Sequence, residues 1–304
     1  MEVSVRSKAL LSVLFFLLAA CGGSQKKQIA VIPKGTAHLF WVTVHAGAED
    51  AAKDFGVDIL WNGAATETDF GRQIEIMDSM INRKVDGIVV APSEKKILNQ
   101  SLSRAKAMNI PVTIFDSGVD SEDYMSFVAT NNFEAGQMGA RKLAALLGNK
   151  GKVIIVMNAP GGASTMERER GFQETIKSEF PDIQIVATQF GMSDRAKAMT
   201  VTENMLTANP EANGMFASAE PSSVGASQAL KARKLAGKIK FVGFDSSDSL
   251  IEDMKNGVID ALVVQDPHKI GYEAVKTIVD KLNGKSPAKR IDLGARVITK
   301  ADSN

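Results

Sequence analysis

The chain has 304 residues, of which 44% are hydrophobic and 23% charged, an ordinary composition for a globular protein of one or two domains. Its 36 Lys and Arg residues balance 35 Asp and Glu residues, so there is no broad basic surface for a nucleic-acid backbone. The single cysteine excludes an internal disulfide and a zinc site built from several thiolates. We therefore expect no nucleic-acid partner, no metal and no other cofactor.

The N-terminal segment has the pattern of an export signal. Two basic residues precede an apolar run at residues 9–18, which is about half the roughly 20 residues that a transmembrane helix needs. The following Leu18-Ala19-Ala20-Cys21 resembles the bacterial lipobox, which implies cleavage before the cysteine and acylation of it. We predict a signal peptide over residues 1–20, a lipid anchor at Cys21 and a flexible tether over residues 21–27. The alternative is an ordinary signal peptide whose cysteine lies near the cleavage point by chance.

After the tether, short β-rich apolar runs alternate with longer amphipathic segments, a pattern typical of parallel sheets covered by helices. The predicted strands, in chain order, cover residues 28–33, 57–61, 87–91, 112–115, 125–129, 153–157, 184–188, 214–217, 240–242 and 261–264. The predicted helices cover residues 39–54, 70–83, 95–107, 133–147, 166–178, 194–206, 222–232, 247–255 and 269–282. Ser93, Ser193 and Ser247 are predicted N-caps, and Asn256-Gly257 and Asn283-Gly284 predicted helix ends. We expect two similar doubly wound α/β halves.

Polar and aromatic residues follow several predicted strands, at the edge where open α/β sheets bind ligands. Asp116 and Asp245 each follow an apolar strand, Gln265 follows another, and the adjacent Phe40 and Trp41 come after the first. This mixture suits a neutral polyol, because hydroxyls need hydrogen-bond partners and C–H faces pack on flat apolar rings. In the alternative interpretation the carboxylates only cap loops and one of the aromatic rings belongs to the core.

Four motifs make the chain similar to a known family. They are VDGIVVAP at residues 85–92, IPVTIFDS at 110–117, RERGF at 168–172 and VGFD at 242–245. With them the chain from residue 28 to about residue 299 resembles the ribose-type periplasmic sugar-binding proteins, which belong to the type I solute-binding proteins. The resemblance implies an α/β fold of periplasmic binding protein type I, in which two doubly wound parallel-sheet lobes are joined by a three-strand hinge.

The same resemblance implies a set of ligand-binding residues. The aromatic rings that would stack on the faces of a sugar are Phe40 and Trp41. The polar groups that would form hydrogen bonds with its hydroxyls belong to Asp116, Arg168, Asp245 and Gln265. The alternative for Arg168 is a surface ion pair with Glu167 or Glu169 on its own helix, a contact worth little.

Departures from the ribose-binding pattern bear on the ligand. His38, Ala91 and Ala219 stand where that pattern has asparagines, and Ser117 where it has an arginine. We therefore expect a ligand that is larger, less hydroxylated or differently oriented than ribose. Candidate substitutes for the lost groups are Lys34, His38, Ser117 and Glu220.

The resemblance also implies how the chain divides and what it does. The N-terminal lobe would comprise residues 28–130 and 266–291, and the C-terminal lobe residues 131–265 and 292–304. The two lobes of a monomer would close over the ligand, and the closed form would deliver it to the permease of an ABC transporter.

Two other binding functions share some or all of these residues. Lys34, Asp116-Ser117 and the TQFG sequence at residues 188–191 are also similar to parts of proteins that bind the signal autoinducer-2. A sensor that delivers sugar to a chemoreceptor or kinase would share every residue above. An NAD-dependent enzyme or a hydrolase is not expected, since neither Gly-x-Gly-x-x-Gly after the first strand nor Gly-x-Ser-x-Gly occurs. A lac-type repressor would carry a helix-turn-helix headpiece where this chain carries a signal.

Overall fold

The computed structural model of the chain describes residues 26–303. The predicted signal peptide and the predicted lipid anchor at Cys21 lie outside these residues. Across the described part of the chain, none of the helices combines the length and the apolar character that crossing a membrane requires.

The elements alternate between strand and helix over most of the chain. In order they are β1 (Gln28–Ile32), α1 (Leu39–Phe55), β2 (Asp58–Trp61), α2 (Phe70–Asn82), β3 (Gly87–Val90), α3 (Asn99–Ala107), β4 (Val112–Phe115), β5 (Ser126–Thr130), α4 (Asn132–Leu147), β6 (Gly151–Met157), α5 (Ala163–Glu179), β7 (Ile183–Phe190), α6 (Arg195–Ala208), β8 (Gly214–Ala217), α7 (Glu220–Ala232), β9 (Lys240–Phe244), α8 (Asp248–Lys255), β10 (Ala261–Val264), α9 (Pro267–Leu282), β11 (Arg290–Leu293), β12 (Arg296–Thr299) and a 3-10 helix (Lys300–Ser303).

The strands form two sheets with the same internal order. The first sheet runs β2-β1-β3-β4-β5-β11, and the second runs β7-β6-β8-β9-β10-β12. Neighbouring strands are parallel except β10 and β12, which pair antiparallel. Since the first strand of each half lies between the second and the third, both sheets are doubly wound. The predicted architecture of two doubly wound parallel sheets is confirmed.

The core of each half lies on both faces of its sheet. Strands β3, β4 and β8 are buried at every residue, as continuous apolar strands of parallel sheets are. Helices α1 and α9 cover one face of the first sheet, and α2 and α3 cover the other. In the second half α4 and α5 cover one face, and α6, α7 and α8 cover the other. Each half is therefore a three-layer α/β/α unit.

The chain passes between the two sheets three times. It leaves the first sheet after β5, returns to it after β10, and leaves it again between β11 and β12. The strands concerned are neighbours at one edge of each sheet, β5 beside β11 in the first and β10 beside β12 in the second.

Close helix packing depends on glycine in both halves. A Cβ atom on Gly136 of α4 would lie 2.1 Å from the backbone oxygen of Arg168 on α5. A Cβ atom on Gly271 of α9 would lie 2.1 Å from the backbone oxygen of Val44 on α1. Only a residue without a side chain allows these backbones to approach so closely. The position of α5, and with it of Arg168, is thus fixed by contact with α4.

Helix α3 begins later than its apolar pattern predicts. The predicted start at residue 95 and the predicted N-cap Ser93 are wrong, because the helix begins at Asn99 with Leu98 at the N-cap position. A Glu94 carboxylate oxygen accepts hydrogen bonds from the backbone N–H groups of Lys96 and Ile97. That local turn competes with the helix and delays its start.

Three of the four remaining cap predictions are right and one is wrong. Ser247 is the N-cap of α8 and accepts from the backbone N–H of Leu250, as predicted. The predicted ends of α8 and α9 are also confirmed, each with a glycine of positive φ after the C-cap asparagine. Ser193 does not cap α6, because the carboxylate of the next residue, Asp194, accepts from the N–H of Lys197 instead.

Candidate ligand-binding site

A polar cavity lies between the two sheets, at the carboxyl ends of their strands. Eight of the nine predicted ligand-binding residues line it: Lys34, His38, Phe40, Trp41, Asp116, Arg168, Asp245 and Gln265. They come from loops after β1, β4, β9 and β10, from the first turn of α1 and from the second turn of α5. The shared carboxyl-end position of these loops brings together residues that are up to 231 positions apart in the chain.

Asp116 forms a buried ion pair with Lys34. The Lys34 Nζ atom lies 2.8 Å from the Asp116 Oδ2 atom, and both side chains are at most 5% exposed. Lys34 Nζ also donates to the Ser164 hydroxyl at 2.8 Å. Because Ser164 lies in the first turn of α5, in the second half, this lysine links the two halves as well as neutralising Asp116.

Asp245 is the corresponding carboxylate on the second sheet. Its Oδ1 atom accepts from the Gln265 amide at 2.7 Å, and its Oδ2 atom accepts from the Glu220 backbone N–H at 3.1 Å. The Arg168 guanidinium lies 3.9 Å away. Burial raises the pKa of Asp245 above its ordinary value, against the opposite effect of Arg168 and the Gln265 hydrogen bond.

Arg168 is held by several partners and is not a surface residue. It donates to the Asn132 side chain at 2.8 Å and to the Ser218 backbone carbonyl at 3.1 Å. Its guanidinium carbon lies 3.9 Å from the centre of the Phe244 ring. The alternative of an exposed ion pair with Glu167 or Glu169 does not apply, because Arg168 and Glu169 are both buried and Glu167 pairs with Arg170. The guanidinium is therefore preorganised at the cavity.

Glu169 follows Arg168 on α5 and is also buried. One of its carboxylate oxygens accepts from the backbone N–H of Asn158 at 3.0 Å and from the Ser218 hydroxyl at 2.8 Å. Burial raises the pKa of Glu169 to about 7. The carboxyl group thus joins two loops that line the cavity.

The two aromatic residues differ in their surroundings. Trp41 is 2% exposed and belongs to the core of the first half, where its ring meets Phe115 and Phe40 edge to face. Its indole N–H donates to the Glu67 carboxylate at 2.8 Å. Phe40 is only partly buried, so it offers the more accessible apolar surface at the cavity.

The structure places His38 and Ser117 differently from one another. His38 lines the cavity, with its Nε2 atom 3.1 Å from the Ser193 backbone oxygen of the second half. Ser117 is fully buried beside the cavity rather than on its wall. Its hydroxyl accepts from the backbone N–H of Ser164 at 3.1 Å, so it connects the loop after β4 to the start of α5.

Sequence reasoning missed several cavity residues. Asn158, Ser164 and Thr165 lie in or just after the loop that follows β6, and Glu67 comes from the loop after β2. Burial acts to raise the pKa of Glu67, but the charge of Lys34 nearby and further polar contacts hold it below its ordinary value. The rule that ligands bind at the carboxyl ends of strands, applied to β2 as well, would have included Glu67.

The two halves are in contact across the cavity. Besides the contacts of Lys34, His38 and Ser117, the Lys95 backbone N–H donates to the Gly161 carbonyl at 3.3 Å. The cavity measures about 30 Å³. Sites for small molecules typically measure about 300–1,000 Å³, so a ligand enters only when the two halves move apart or cavity side chains rearrange. Within residues 26–303, no group of three or more His, Cys, Asp or Glu side chains is placed to hold a metal ion.

Comparison with known proteins gives a consistent result. The chain is 27% identical to a ribose import binding protein of Bacillus subtilis, over 95% of this chain and 97% of the relative. It is 30% identical to the D-allose-binding periplasmic protein of Escherichia coli, over 83% and 84%. A carbohydrate transporter solute-binding protein from Agrobacterium radiobacter, crystallised with D-arabinose, superposes with a TM-score of 0.89 at 35% identity, over 92% and 96% of the two chains.

These relatives are named as binding proteins and not as enzymes, in agreement with the expectation that the chain has no catalytic function. The sequence profile of the periplasmic binding protein domain matches residues 29–286. The resemblance indicated by the four motifs is confirmed, and the chain belongs to the periplasmic binding protein family.

Proposed function

We propose that the protein is an extracytoplasmic solute-binding protein that captures a monosaccharide between its two halves and delivers it to an ABC transporter. The observation that carries this proposal is the pair of buried carboxylates, Asp116 and Asp245, which line one cavity together with Arg168 and Phe40. The names of the relatives support it, since they bind ribose, D-allose and D-arabinose.

Recognition follows from the chemistry of the cavity. Carboxylates accept hydrogen bonds from sugar hydroxyls, Arg168 and Lys34 donate to them, and the Phe40 ring packs against C–H groups. A ligand that lacks one hydroxyl leaves a buried charged partner without a hydrogen bond, which costs free energy. The site therefore discriminates sugars by the positions of their hydroxyls.

The two halves act as lobes that close over the ligand. We assign residues 28–130 and 266–293 to the N-terminal lobe, and residues 131–265 and 294–303 to the C-terminal lobe. The last boundary lies two residues later than the sequence predicts, because all of β11 pairs with β5 in the first sheet. This division is supported by the three passages of the chain between the sheets. A ligand that contacts both lobes only in the closed form shifts the equilibrium toward closure. The closed monomer is the form that the permease recognises.

The lipid anchor at Cys21 holds the protein at the membrane that contains the permease. Support comes from the sequence alone, from the apolar run at residues 9–18 followed by Leu18-Ala19-Ala20-Cys21. Two or more acyl chains on one residue give stable anchoring. The tether that the sequence predicts over residues 21–27 would let the lobes move relative to the anchor.

The experiment that tests the proposal is a thermal unfolding screen of the purified protein. The panel contains pentoses, hexoses, deoxysugars, polyols and autoinducer-2. A ligand at 100 times its dissociation constant stabilises the folded state by about 2.7 kcal/mol, which raises the midpoint of unfolding by several degrees. We expect a selective rise with one or a few monosaccharides. The proposal would be contradicted if autoinducer-2 alone raised the midpoint, or if no sugar in the panel raised it.

A further inference from the structure

Three buried oxygen atoms that belong to cavity residues have no hydrogen-bond donor among the described residues. They are the Glu220 Oε2, Gln265 Oε1 and Asn158 Oδ1 atoms. Buried polar atoms in folded proteins nearly always have a partner, so each of these needs an explanation. Their common position at the cavity indicates that a ligand supplies the donors.

Each of these three side chains has a second polar atom whose hydrogen bond fixes the orientation of the group. The Gln265 amide nitrogen donates to Asp245 at 2.7 Å, and the Asn158 amide nitrogen lies 3.4 Å from the Glu67 carboxylate. Carboxylates accept hydrogen bonds and do not donate them, so the amide oxygens of both side chains face away from these partners. The other oxygen of Glu220 accepts from Arg195 at 2.5 Å.

Glu220 differs from the two amides because it carries a charge. Its side chain is 1% exposed, at the first residue of α7, where the helix N-terminus favours a negative charge. Its unpartnered Oε2 atom lies 3.6 Å from the Nδ1 atom of His38, too far for a hydrogen bond. A buried carboxylate held by Arg195 on one side and open on the other is a strong acceptor for a ligand hydroxyl.

The cationic groups around the cavity are already paired. Lys34 lies against Asp116, and Arg168 lies near Asp245 and donates to two oxygens. Arg195, whose side chain is 45% exposed, pairs with Glu220. An anionic ligand would have to displace one of these carboxylates or approach Glu220 directly, and like charges at short range repel strongly in a buried site.

We infer that Glu220 is a specificity-determining residue that accepts a hydrogen bond from a hydroxyl of a neutral sugar and discriminates against anionic derivatives of that sugar. The inference rests on the proposed sugar-binding function. Arg195 is a positioning residue in this arrangement, because it orients the carboxylate and does not line the cavity.

The test is isothermal titration calorimetry on the full-length chain in detergent, with D-ribose, D-allose, D-arabinose and the phosphate ester of each as probes. Glu220→Gln keeps the size of the side chain but removes its charge. When the amide oxygen of the new side chain accepts from Arg195, the amide nitrogen faces the ligand and offers a donor in place of an acceptor. We expect this variant to raise the dissociation constant of the neutral sugar at least about tenfold. We also expect the dissociation constants of the sugar and of its phosphate ester to differ less than in the wild-type protein. Glu252→Gln, at an exposed position on α8, is the matched control and should change neither quantity.

Arg195→Gln gives a second measurement at a half-exposed position that does not disturb the core. We expect it to weaken sugar binding several-fold in the wild-type background and to add nothing when Glu220→Gln is already present. If a sugar binds, but Glu220→Gln changes neither its dissociation constant nor the ratio of that constant to the one for the phosphate ester, the inference is wrong and the proposed function stands. Any other monosaccharide that raises the unfolding midpoint in the thermal screen is titrated beside these three. If none of them binds the wild-type chain, the proposed function and the inference both fail.

Discussion

Asp116 and Asp245 occupy equivalent positions in the two halves of the molecule. Asp116 follows β4, Asp245 follows β9 at the same place in the order of the second sheet, and their backbone φ angles are 57° and 65°. A positive φ is uncommon outside glycine and costs free energy, so it persists where the surroundings enforce it. Both residues line the cavity, which means that two strained turns place one carboxylate on each side of it.

Removing either charge should weaken ligand binding without unfolding the protein. We expect Asp116→Asn and Asp245→Asn each to cost roughly 2 kcal/mol of binding free energy or more, because a charge-assisted hydrogen bond is lost and its partner is stranded. Asparagine tolerates a positive φ, so the turns are preserved. The measurement is calorimetric titration with the sugar found by the screen. Asp120→Asn, exposed in the loop after β4, is the control. Unchanged affinity in both site variants would remove these residues from the site.

The packing of α4 against α5 should control both stability and binding. A methyl group at Gly136 collides with the backbone oxygen of Arg168, so we expect Gly136→Ala to destabilise the protein by about 1–3 kcal/mol and to reduce ligand affinity. Gly71→Ala is the matched control, since a Cβ atom there meets nothing within 4 Å. It should leave binding unchanged and stabilise the protein by a few tenths of a kcal/mol. Denaturant unfolding and calorimetry measure the two effects; equal behaviour of the two variants would refute the packing argument.

Glu169 should make stability depend on pH. Its folded pKa of about 7 exceeds the ordinary 4.5, so the folded state holds a proton that the unfolded state releases. Its stabilising contribution is therefore fully present below pH 4.5 and is lost, by roughly 3 kcal/mol, as the pH rises to 7. We expect Glu169→Gln to remove this decline in denaturant titrations at several pH values. Glu174→Gln, exposed on the same helix, should retain it. A decline of equal size in both variants would show that other groups cause it.

The predicted lipid anchor has a simple test by cell fractionation. We expect the wild-type chain in the membrane fraction and Cys21→Ser in the soluble or uncleaved fraction, because the serine cannot receive the thioether-linked acyl chains. Labelling with a radioactive fatty acid should mark only the wild-type chain. Incorporation of label into Cys21→Ser would contradict the assignment of the anchor.

Much of the fold could be predicted because the spacing of apolar residues in the sequence distinguishes strands from helices. The strands at 112–115, 214–217 and 261–264 were predicted to the residue, since each is an apolar run with sharp boundaries. Helix boundaries were harder where two polar residues compete. Asp194 rather than Ser193 caps α6, and the hydrogen bonds of Glu94 delay α3. Such choices depend on backbone geometry that residue type alone does not determine.

The candidate site was predictable where a residue directly follows an apolar strand, as Asp116, Asp245 and Gln265 do. Glu67 was missed because it lies several residues beyond the edge strand β2. The carboxyl-end rule points to that loop, but the sequence has no periodic pattern that shows which of its residues reaches the cavity. The buried partners of Arg168, such as Asn132, were also missed, because they are brought together only by the packing of α4 on α5.

The most direct test of the central claim is a fluorescence titration of Trp61→Phe, in which Trp41 is the single remaining tryptophan. Trp41 lines the cavity, and its indole N–H is bonded to Glu67, so a sugar bound there must change its surroundings. The account predicts a saturable change in emission whose midpoint equals the calorimetric dissociation constant of the same sugar. Unchanged emission at sugar concentrations that saturate calorimetric binding would place the ligand elsewhere and contradict the account.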